Sequence, residues 1–433
     1  MSGTGRLSAP GFPEAAVRDR ARRGAAAAFP AAEEYGSTLY GAASAAPGPD
    51  GLDAMRLVPP LFMERRLEKL IDLGREPVHG DVDLATRIGG LHAPLPVYVS
   101  ATGSTRAASG DAGLALSRQA GALGLPMVIG ENVVPTGGYR RGTGGAHGAL
   151  LDRLTAYGEA LAPGVGGVVV QQSTEDADAE VWNLLYSDPG AAALLDSGRL
   201  AFELKLGQGA KPGLGGMTVL DDREAARLGD RFGTEALFPG GTTLRSATPG
   251  TFTAEILRQQ IRLMRNNFPR ARVWVKLFPG RDVADAVRVA VEAGADAVAV
   301  DGAEGGTGWA PGVFLRDVGL PLAECLHRLA ALPRPVDGGL PLLVSGRMWE
   351  GGRVAKSLAL GAAAAGLGRA ALLAVDEDPR HGLGRLVDCL AFELRLLISA
   401  LGKYRPAGLG PDDVWTAAAA SAGEHPGVVA DRR

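Results

Sequence analysis

Eight short apolar runs, separated by stretches of helical spacing, constrain the fold of this chain more than any other feature. The clearest helical patterns cover residues 254–266, 283–293 and 353–360. Strands that are apolar on both faces and alternate with helices are typical of a parallel sheet. A doubly wound sheet would give a similar alternation, but the count of eight and the glycines at the run ends favour an α/β fold of the (β/α)₈ TIM-barrel type. The runs lie at 96–100, 126–130, 167–171, 201–206, 273–277, 297–301, 342–345 and 364–368.

The segments around the runs divide the chain into four parts. Residues 1–50 are rich in Ala, Gly and Pro, which predicts a flexible or loosely packed N-terminal arm. Residues 51–95 form a pre-barrel segment, with a short helix predicted from Leu57 to Leu73. The barrel is predicted over 96–380, and a C-terminal helix and tail over 381–433. Within these parts, residues 217–249 fit no crossover helix and predict an insertion after the fourth strand, whereas 383–401 predict an amphipathic helix against the outside of the barrel.

Composition excludes several classes of protein. Of the 433 residues, 46% are hydrophobic, which is enough for a large core, and the net charge of −3 gives no basic surface for nucleic acid or an anionic membrane. Cys325 and Cys389 are the only cysteines, so neither a disulfide framework nor a four-cysteine metal site can form. No apolar run approaches the roughly 18 residues of a membrane span. We therefore expect a cytoplasmic enzyme without a bound metal, and with neither a nucleic-acid nor a membrane partner.

The last two strands end in glycine–arginine turns that predict a phosphate site. In barrels of this kind the active site forms at the carboxyl ends of the strands, and phosphate commonly lies at the loops after strands seven and eight. Glycine lets backbone N–H groups approach phosphate oxygens, and arginine supplies charge. Either turn alone could be an ordinary tight turn; their occurrence at these two strand ends favours phosphate. The residues assigned to the site are Ser345, Gly346, Arg347, Gly366, Gly368 and Arg369.

A glycine-rich loop that carries two lysines follows the fourth strand. It reads Phe202-Glu-Leu-Lys-Leu-Gly-Gln-Gly-Ala-Lys-Pro-Gly-Leu-Gly-Gly216, and a second glycine-rich loop, Val300-Asp-Gly-Ala-Glu-Gly-Gly-Thr-Gly308, follows the sixth. Two cations and an amide, from Lys205, Lys211 and Gln208, can orient a carboxylate and polarise a carbonyl. An anion-binding loop without catalysis is the alternative.

These two loops together resemble the FMN-binding domain of the glutamate synthase family. The family's first loop reads approximately Lys-x-x-Gln-Gly-Ala-Lys-Pro-Gly-x-Gly-Gly, and its second ends in Gly-Gly-Thr-Gly. The resemblance extends from about Leu57 to Leu401. It implies that FMN is the ligand whose phosphate the arginine turns bind, in a (β/α)₈ barrel.

The resemblance also implies roles for individual residues. Lys205, Gln208 and Lys211 would face a 2-oxo acid substrate and the flavin, whereas Glu304 and Glu131 are candidates for proton transfer or for binding an amine, with solvated loop acids as the alternative. Lys276 would place positive charge near the pyrimidine edge of the flavin and stabilise its reduced anion; a structural ion pair is the alternative. The other residues predicted to contact the cofactor are Ser100, Ala101, Thr102, Gln171, Gln172, Asp301, Gly305 and Gly306.

Four departures from the family pattern qualify the resemblance. Residues 370–385 lack the cysteine trio of the iron–sulfur members, and the chain begins Met-Ser-Gly rather than with the cysteine of a glutaminase domain. We therefore expect a variant free of both parts. Leu214 replaces an acid, and residues 244–249 lack the family's histidine, which suggests a specialised substrate.

The resulting expectation is an FMN-dependent oxidoreductase that acts on an amino acid, a 2-oxo acid or an imine-like substrate, with hydride exchanged at flavin N5. Two alternatives stay open: an FMN-dependent isomerase of a diphosphate substrate, and a non-catalytic flavin-barrel subunit. Electrons are expected from NAD(P)H or from a separate electron-donor protein. No Gly-x-Gly-x-x-Gly opens a strand–helix unit, which favours the separate donor. The 386–401 helix suits a homo-oligomer interface as well as a barrel wall.

Overall fold

The eight apolar runs form the eight parallel strands of one closed barrel, which confirms the predicted fold. The computed structural model describes residues 6–29, 51–62, 75–102, 111–130, 146–173, 181–207, 217–221, 233–238, 242–246, 253–305, 311–332 and 341–416. Neighbouring strands follow chain order, and the last pairs with the first to close the ring. The strands are β1 (Val97–Thr102), β2 (Met127–Ile129), β3 (Val168–Ser173), β4 (Leu200–Lys205), β5 (Arg272–Leu277), β6 (Ala297–Asp301), β7 (Leu342–Ser345) and β8 (Ala364–Leu367).

Helices surround the barrel and cover its outer face. Alternate strand residues such as Val273, Val275 and Leu277 pack outward against the helices, while Trp274 points into the barrel. The helices are α1 (Glu14–Arg23), α2 (Asp111–Ala122), α3 (Ala146–Ala160), α4 (Val181–Ser187), α5 (Ala192–Asp196), α6 (Ala254–Asn267), α7 (Val283–Glu292), α8 (Gly312–Asp317), α9 (Leu322–Ala330), α10 (Gly351–Ala359), α11 (Arg369–Glu377) and α12 (Gly382–Ala400). In the described part of the chain, none of them combines the length and apolarity that a membrane crossing needs.

A β-hairpin closes the amino-terminal end of the barrel. Its strands, Thr86–Ile88 and Leu91–Ala93, pair antiparallel, and Ile88 and Leu91 join the apolar cluster inside the barrel. The indole Nε1 of Trp274 donates a hydrogen bond to the backbone oxygen of Gly89, at 3.1 Å. The hairpin therefore fills the base of the barrel with apolar side chains.

The structure differs from the helix predicted at Leu57–Leu73. Arg56–Leu57 is a short strand that pairs antiparallel with Val414–Trp415, and residues 58–62 are not helical. Residues 63–74 lie outside the described part of the chain. The partner strand is more than 350 residues away in sequence, so local apolar spacing could not reveal this pairing.

The described part of the N-terminal arm is packed rather than loose. In α1, Val17 and Ala21 are fully buried and join the main hydrophobic core. The nearly buried Arg18 forms ion pairs with Glu14 on its own helix and with Glu377 on α11. These ion pairs hold α1 against the helices outside the barrel. Because the sequence of α1 is rich in arginine, it did not predict this packing.

The insertion and the C-terminal helix agree with the sequence. Three antiparallel strands, Met217–Asp221, Gly233–Phe238 and Thr242–Ser246, form a small sheet after β4, with the third strand in the middle. Helix α12 packs against α1 and α10, so it lies on the outside of the barrel as expected.

Candidate functional site

The carboxyl end of the barrel is lined by a ring of buried polar side chains. These residues continue the inward-facing positions of the apolar cluster below them: on β5, for example, Lys276 follows Trp274, and on β6 Asp301 follows Ala299. Each is less than one-tenth exposed, although burial of so many polar groups is costly unless they are paired. The polar ring comprises Gln171, Glu203, Lys205, Lys276, Asp301 and Ser345.

Hydrogen bonds and an ion pair connect the members of the polar ring. Lys276 Nζ lies 3.1 Å from Asp301 Oδ2, and the hydroxyl of Ser345 donates to Asp301 Oδ1. On the other side, Gln171 Nε2 donates to Glu203 Oε2 at 2.6 Å. The ion-pair alternative for Lys276 is thus realised, but its ammonium still lies at the strand end where a ligand would bind.

Glu203 is a buried carboxyl group with an unusual proton affinity. Burial raises its pKa to about 7, with the charge of Asp301 acting in the same direction. The charges of Lys276 and Lys205 and the hydrogen bond from Gln171 act to lower that pKa, so burial prevails. The group can therefore hold or lose a proton near neutral pH, next to two ammonium groups.

Tyr98 lies within the barrel close to the polar ring. Burial raises the pKa of its phenol, and the negative charges of Asp301 and Glu203 raise it further. Its ring packs edge-on against Trp274, with centroids 6.2 Å apart. The phenol stays neutral, so it can donate a hydrogen bond but cannot act as a base.

A β-bulge shapes the end of β1. Val99 aligns with Met127 and Thr102 aligns with Ile129, so β1 uses three steps where β2 uses two. The extra residue brings Ala101 against the interior cluster. The bulge therefore turns a small side chain inward at the position predicted to lie under the cofactor.

The two arginine turns lie close enough together for the charge of one guanidinium group to act on the other. Arg347 adopts a left-handed backbone with φ 52°, which no other non-glycine residue in the described ranges does. Burial and the positive charge of Arg347 both lower the pKa of Arg369. Two nearby guanidinium groups, Arg369 at the start of α11 and Arg347 in the loop after β7, favour a bound anion.

The glycines of the arginine turns have different roles. A Cβ at Gly366 would lie 2.1 Å from the Ser100 hydroxyl oxygen, so this glycine permits close packing of β8 and β1. A Cβ at Gly368 would have only Ser100 Cβ within reach, at 4.0 Å, so that position faces open space. Gly346 has φ 144° and provides the bend that precedes Arg347. Of these three glycines, Gly368 is thus the one beside open space that a ligand could occupy.

Glu304 turns toward a neighbouring helix. Its carboxylate accepts a hydrogen bond from the N–H of Leu322, the first residue of α9, at 3.2 Å. Its backbone oxygen accepts a hydrogen bond from Arg369, and the N–H of Gly305 bonds to Gly302. These contacts are structural, and the catalytic role of Glu304 stays a prediction.

The remaining predicted residues are only partly brought together. Gln172 follows Val168 and Val170 on the outward face of β3, unlike Gln171, and its buried Oε1 has no hydrogen-bond partner among the described residues. Thr102 Oγ1 is similarly buried and without a partner there. Glu131, Gln208, Lys211 and Gly306 lie outside the described residues.

Sequence reasoning missed Glu203 and Tyr98 as members of the site. Glu203 occupies an inward position two residues before Lys205, and a lone acid within an apolar strand is a signal that could have identified it. Tyr98 gave no such signal, because an aromatic residue in a strand is ordinary core.

Comparison with known proteins identifies the family. The model of the conserved region in glutamate synthase matches residues 143–377. The chain belongs to the glutamate synthase family. It is 34% identical over 246 residues to a glutamate synthase large subunit-like protein of Rhizobium meliloti, covering 55% of this chain and 54% of that protein. It is 34% identical over 186 residues to an archaeal-type glutamate synthase (NADPH) of Dehalococcoides mccartyi, covering 42% of this chain and 36% of that protein. The chain thus spans about half or less of the length of these relatives.

Solved structures support the barrel. A flavocytochrome b2 variant with benzoylformate has a TM-score of 0.53 at 18% identity, covering 87% of this chain and 80% of the other. A soluble mutant of (S)-mandelate dehydrogenase from Pseudomonas putida has a TM-score of 0.51 at 18% identity, covering 85% and 89%. At this identity the likeness shows the fold alone.

The glutamate synthase domain family binds FMN, and the residues of this chain fit that cofactor. The paired guanidinium groups of Arg347 and Arg369 suit its phosphate. The inward Ala101 leaves room for a flat ring at the end of β1.

Proposed function

We propose that this chain is an FMN-dependent oxidoreductase that acts on an amino acid, a 2-oxo acid or an imine-like substrate, with hydride exchanged at flavin N5. The observation that carries the proposal is the Lys276–Asp301 ion pair, buried at the strand ends with Nζ and Oδ2 3.1 Å apart. Such a fixed cation in a low-dielectric site can stabilise negative charge that develops on a cofactor. Family membership supports the cofactor, and the chemistry of the polar ring supports the reaction type.

Bound FMN would supply the hydride chemistry, and the chain's own residues would hold and tune it. Arg347 and Arg369 would bind the phosphate, while Lys276 would present its ammonium to the pyrimidine edge. The bulge at Ala101 would support the flat ring. The remaining residues assigned to the cofactor are Ser100, Thr102, Gln171, Gln172, Asp301, Gly305, Gly306, Ser345, Gly346, Gly366 and Gly368.

Within the described part of the chain, Lys205 is the cation that we assign to the substrate. It lies next to Lys276 across the β4–β5 pair, and its position at the strand end suits a substrate carboxylate. Glu203, directly below, can exchange a proton near neutral pH. Gln208, Lys211, Glu131 and Glu304 remain assigned to substrate binding and proton transfer on the strength of the family resemblance.

The electrons are proposed to come from NAD(P)H or from a separate electron-donor protein. A relative of this chain is named an NADPH-dependent glutamate synthase, and only part of that protein is matched here.

The first experiment is a visible absorption spectrum of the purified protein, followed by the mass of any released chromophore. We expect a flavin spectrum and release of FMN. The protein is then reduced anaerobically and mixed with 2-oxo acids plus ammonia or amines, and reoxidation of the flavin with amino-acid formation is followed. A colourless protein that also fails to take up added FMN would refute the proposal. A flavoprotein that isomerises a diphosphate without net redox change would favour the isomerase instead.

A further inference from the structure

Both arginines of the predicted phosphate site are contacted by the segment that precedes the barrel. The guanidinium carbon of Arg369 lies over the ring of Phe12, 4.5 Å from its centroid. Arg347 forms an ion pair with Asp53. Both contacts bridge about 300 residues or more of sequence, and they come from two separate stretches of the N-terminal segment.

The turn that carries Phe12 is anchored to the same helix that begins with Arg369. Arg18, only 5% exposed, donates to the backbone oxygen of Leu7 at 2.7 Å and pairs with Asp376 and Glu377 near the end of α11. The backbone N–H of Phe12 bonds to Ala9 within this turn. Helix α11 thus holds the turn at one end and receives the ring of Phe12 at the other.

Asp53 is fixed just as firmly. It bridges Arg347 and the fully buried Arg353, which also donates to the backbone oxygen of Gly346 at 3.2 Å. Lys356 on α10 donates to the backbone oxygen of Leu52 at 3.1 Å. Although burial acts to raise the pKa of Asp53, the charges of Arg353 and Arg347 hold it below its usual range. One carboxylate shared by two guanidinium groups leaves the cluster positive, as a phosphate site requires.

A third contact ties α1 to the loop after β7. The guanidinium carbon of Arg20 lies 4.6 Å from the ring centroid of Trp349, two residues beyond Arg347. Arg20 also pairs with Glu393 on α12, whose other carboxylate oxygen accepts a hydrogen bond from the N–H of Gly351. The segment before the barrel therefore touches both arginine turns at several points.

We propose that the segment before the barrel is a working part of the cofactor phosphate site, in which Phe12 and Asp53 are positioning residues for Arg369 and Arg347. An arginine loses rotamer freedom when it binds an anion, and contacts that hold it beforehand reduce that loss. Because Arg347 has a left-handed backbone, which is strained for a residue other than glycine, contacts are needed to hold its conformation. This inference rests on the proposed function, because the anion is taken to be the phosphate of FMN.

The test compares two ligands, FMN and riboflavin, which differ only in the phosphate. Full-length protein is stripped of flavin, and dissociation constants are measured by flavin fluorescence for the wild type, Phe12→Leu and Asp53→Asn. Each variant is expected to raise the dissociation constant for FMN about tenfold, the size of one lost cation–π or charge-assisted contact. The dissociation constant for riboflavin should stay within about twofold of the wild-type value, because no phosphate contact is involved.

Matched variants on the same segment serve as controls. Phe29→Leu changes a phenylalanine that packs on Phe392, and Asp19→Asn changes an acid that pairs with Arg23. Both should leave binding of either flavin unchanged. If Asp53→Asn does not fold, because Arg353 loses its charged partner, Phe12→Leu decides the question alone.

The outcomes separate the two proposals. Wild-type protein that binds FMN, together with variants that bind it equally well, would overturn the positioning role and leave the proposed function standing. Equal weakening of FMN and riboflavin would also overturn it, since the effect would then be a general loss of structure. Wild-type protein that binds neither flavin would overturn the proposed function and this inference with it.

Discussion

Glu203 illustrates at the scale of one residue how burial prepares a side chain for chemistry. Its carboxyl group is buried among two lysines, an aspartate and an amide, and burial raises its pKa to about 7 from 4.5. A carboxyl group with a raised folded-state pKa binds a proton more tightly in the folded than in the unfolded protein. Ionising the buried Glu203 carboxyl therefore lowers the free energy of unfolding. This loss is absent at low pH and complete above the folded-state pKa.

The first prediction follows from the direction of this pKa shift. Between about pH 4.5 and pH 7, wild-type protein should lose up to about 3 kcal/mol of stability relative to Glu203→Gln, with a constant difference above about pH 7. Thermal unfolding of both proteins across this pH range measures the difference. Glu159→Gln, at an exposed position on α3, is the control. A wild type that gains stability relative to Glu203→Gln as pH rises would contradict the assignment.

The second prediction concerns Lys276. Lys276→Met removes the buried cation but keeps the length of the side chain, so the protein should fold and bind FMN. Reduction of the flavin should slow at least about tenfold and its midpoint potential should fall, because the reduced anion loses its stabilising charge. Stopped-flow reduction and a redox titration measure these effects, with Lys403→Met beyond α12 as the control. An unchanged rate and potential would exclude Lys276 from this role.

At the scale of elements, the closeness of α2 and α3 depends on one glycine. A Cβ at Gly121 would lie 2.3 Å from the backbone oxygen of Tyr157 on α3, whereas a Cβ at Gly158 on α3 would meet nothing within 4 Å. Backbone cannot move aside as a flexible side chain can. The close approach of α2 and α3 thus requires glycine at position 121 but not at position 158.

The third prediction uses this contrast. Gly121→Ala should destabilise the protein by about 2 kcal/mol, because the helices must separate. Gly158→Ala, the matched control, should stabilise it by about 0.5–1 kcal/mol, because alanine loses less backbone entropy in a helix. Chemical denaturation measures both free energies. Similar effects from the two substitutions would show that the α2–α3 contact is not limiting.

Elements also show what sequence could and could not predict. The eight barrel strands were predicted to within about two residues, because each is an apolar run whose two faces are both buried. The Thr86–Ile88 and Leu91–Ala93 hairpin was missed, since its strands are too short to show a period of two. Helix α1 was missed because it buries few apolar residues and relies on ion pairs to distant acids.

Some residues of the candidate site could likewise be predicted from local sequence, and others could not. The positions of Lys276, Asp301 and the arginine turns were predictable, since each follows directly from the end of a strand, and their roles stay predictions. Phe12 and Asp53 were not, because their partners lie about 300 residues or more away, and an arginine–phenylalanine contact leaves no local pattern. Contacts that depend on the closed fold become visible only in three dimensions.

At the scale of the whole molecule, the two ends of the barrel have separate tasks. The hairpin fills the base with apolar side chains, while the polar ring and both arginines lie at the opposite end. In barrels of this type, the amino-terminal end serves stability and the carboxyl-terminal end serves catalysis. A substitution at the base should therefore change stability without changing affinity for the cofactor.

The fourth prediction tests that separation at Gly89, where the hairpin meets Trp274. Gly89 has φ 53°, and a Cβ there would lie 2.4 Å from the indole ring. Gly89→Ala should destabilise the protein by about 3 kcal/mol, from the clash and from the left-handed backbone. At temperatures where the variant remains folded, its dissociation constant for FMN should match that of the wild type. Gly80→Ala, where a Cβ meets nothing within 4 Å, should change neither quantity by much. Weaker FMN binding by folded Gly89→Ala would mean that the two ends of the barrel are coupled, because strain at the base would then reach the polar ring through β5, the strand that carries both Trp274 and Lys276.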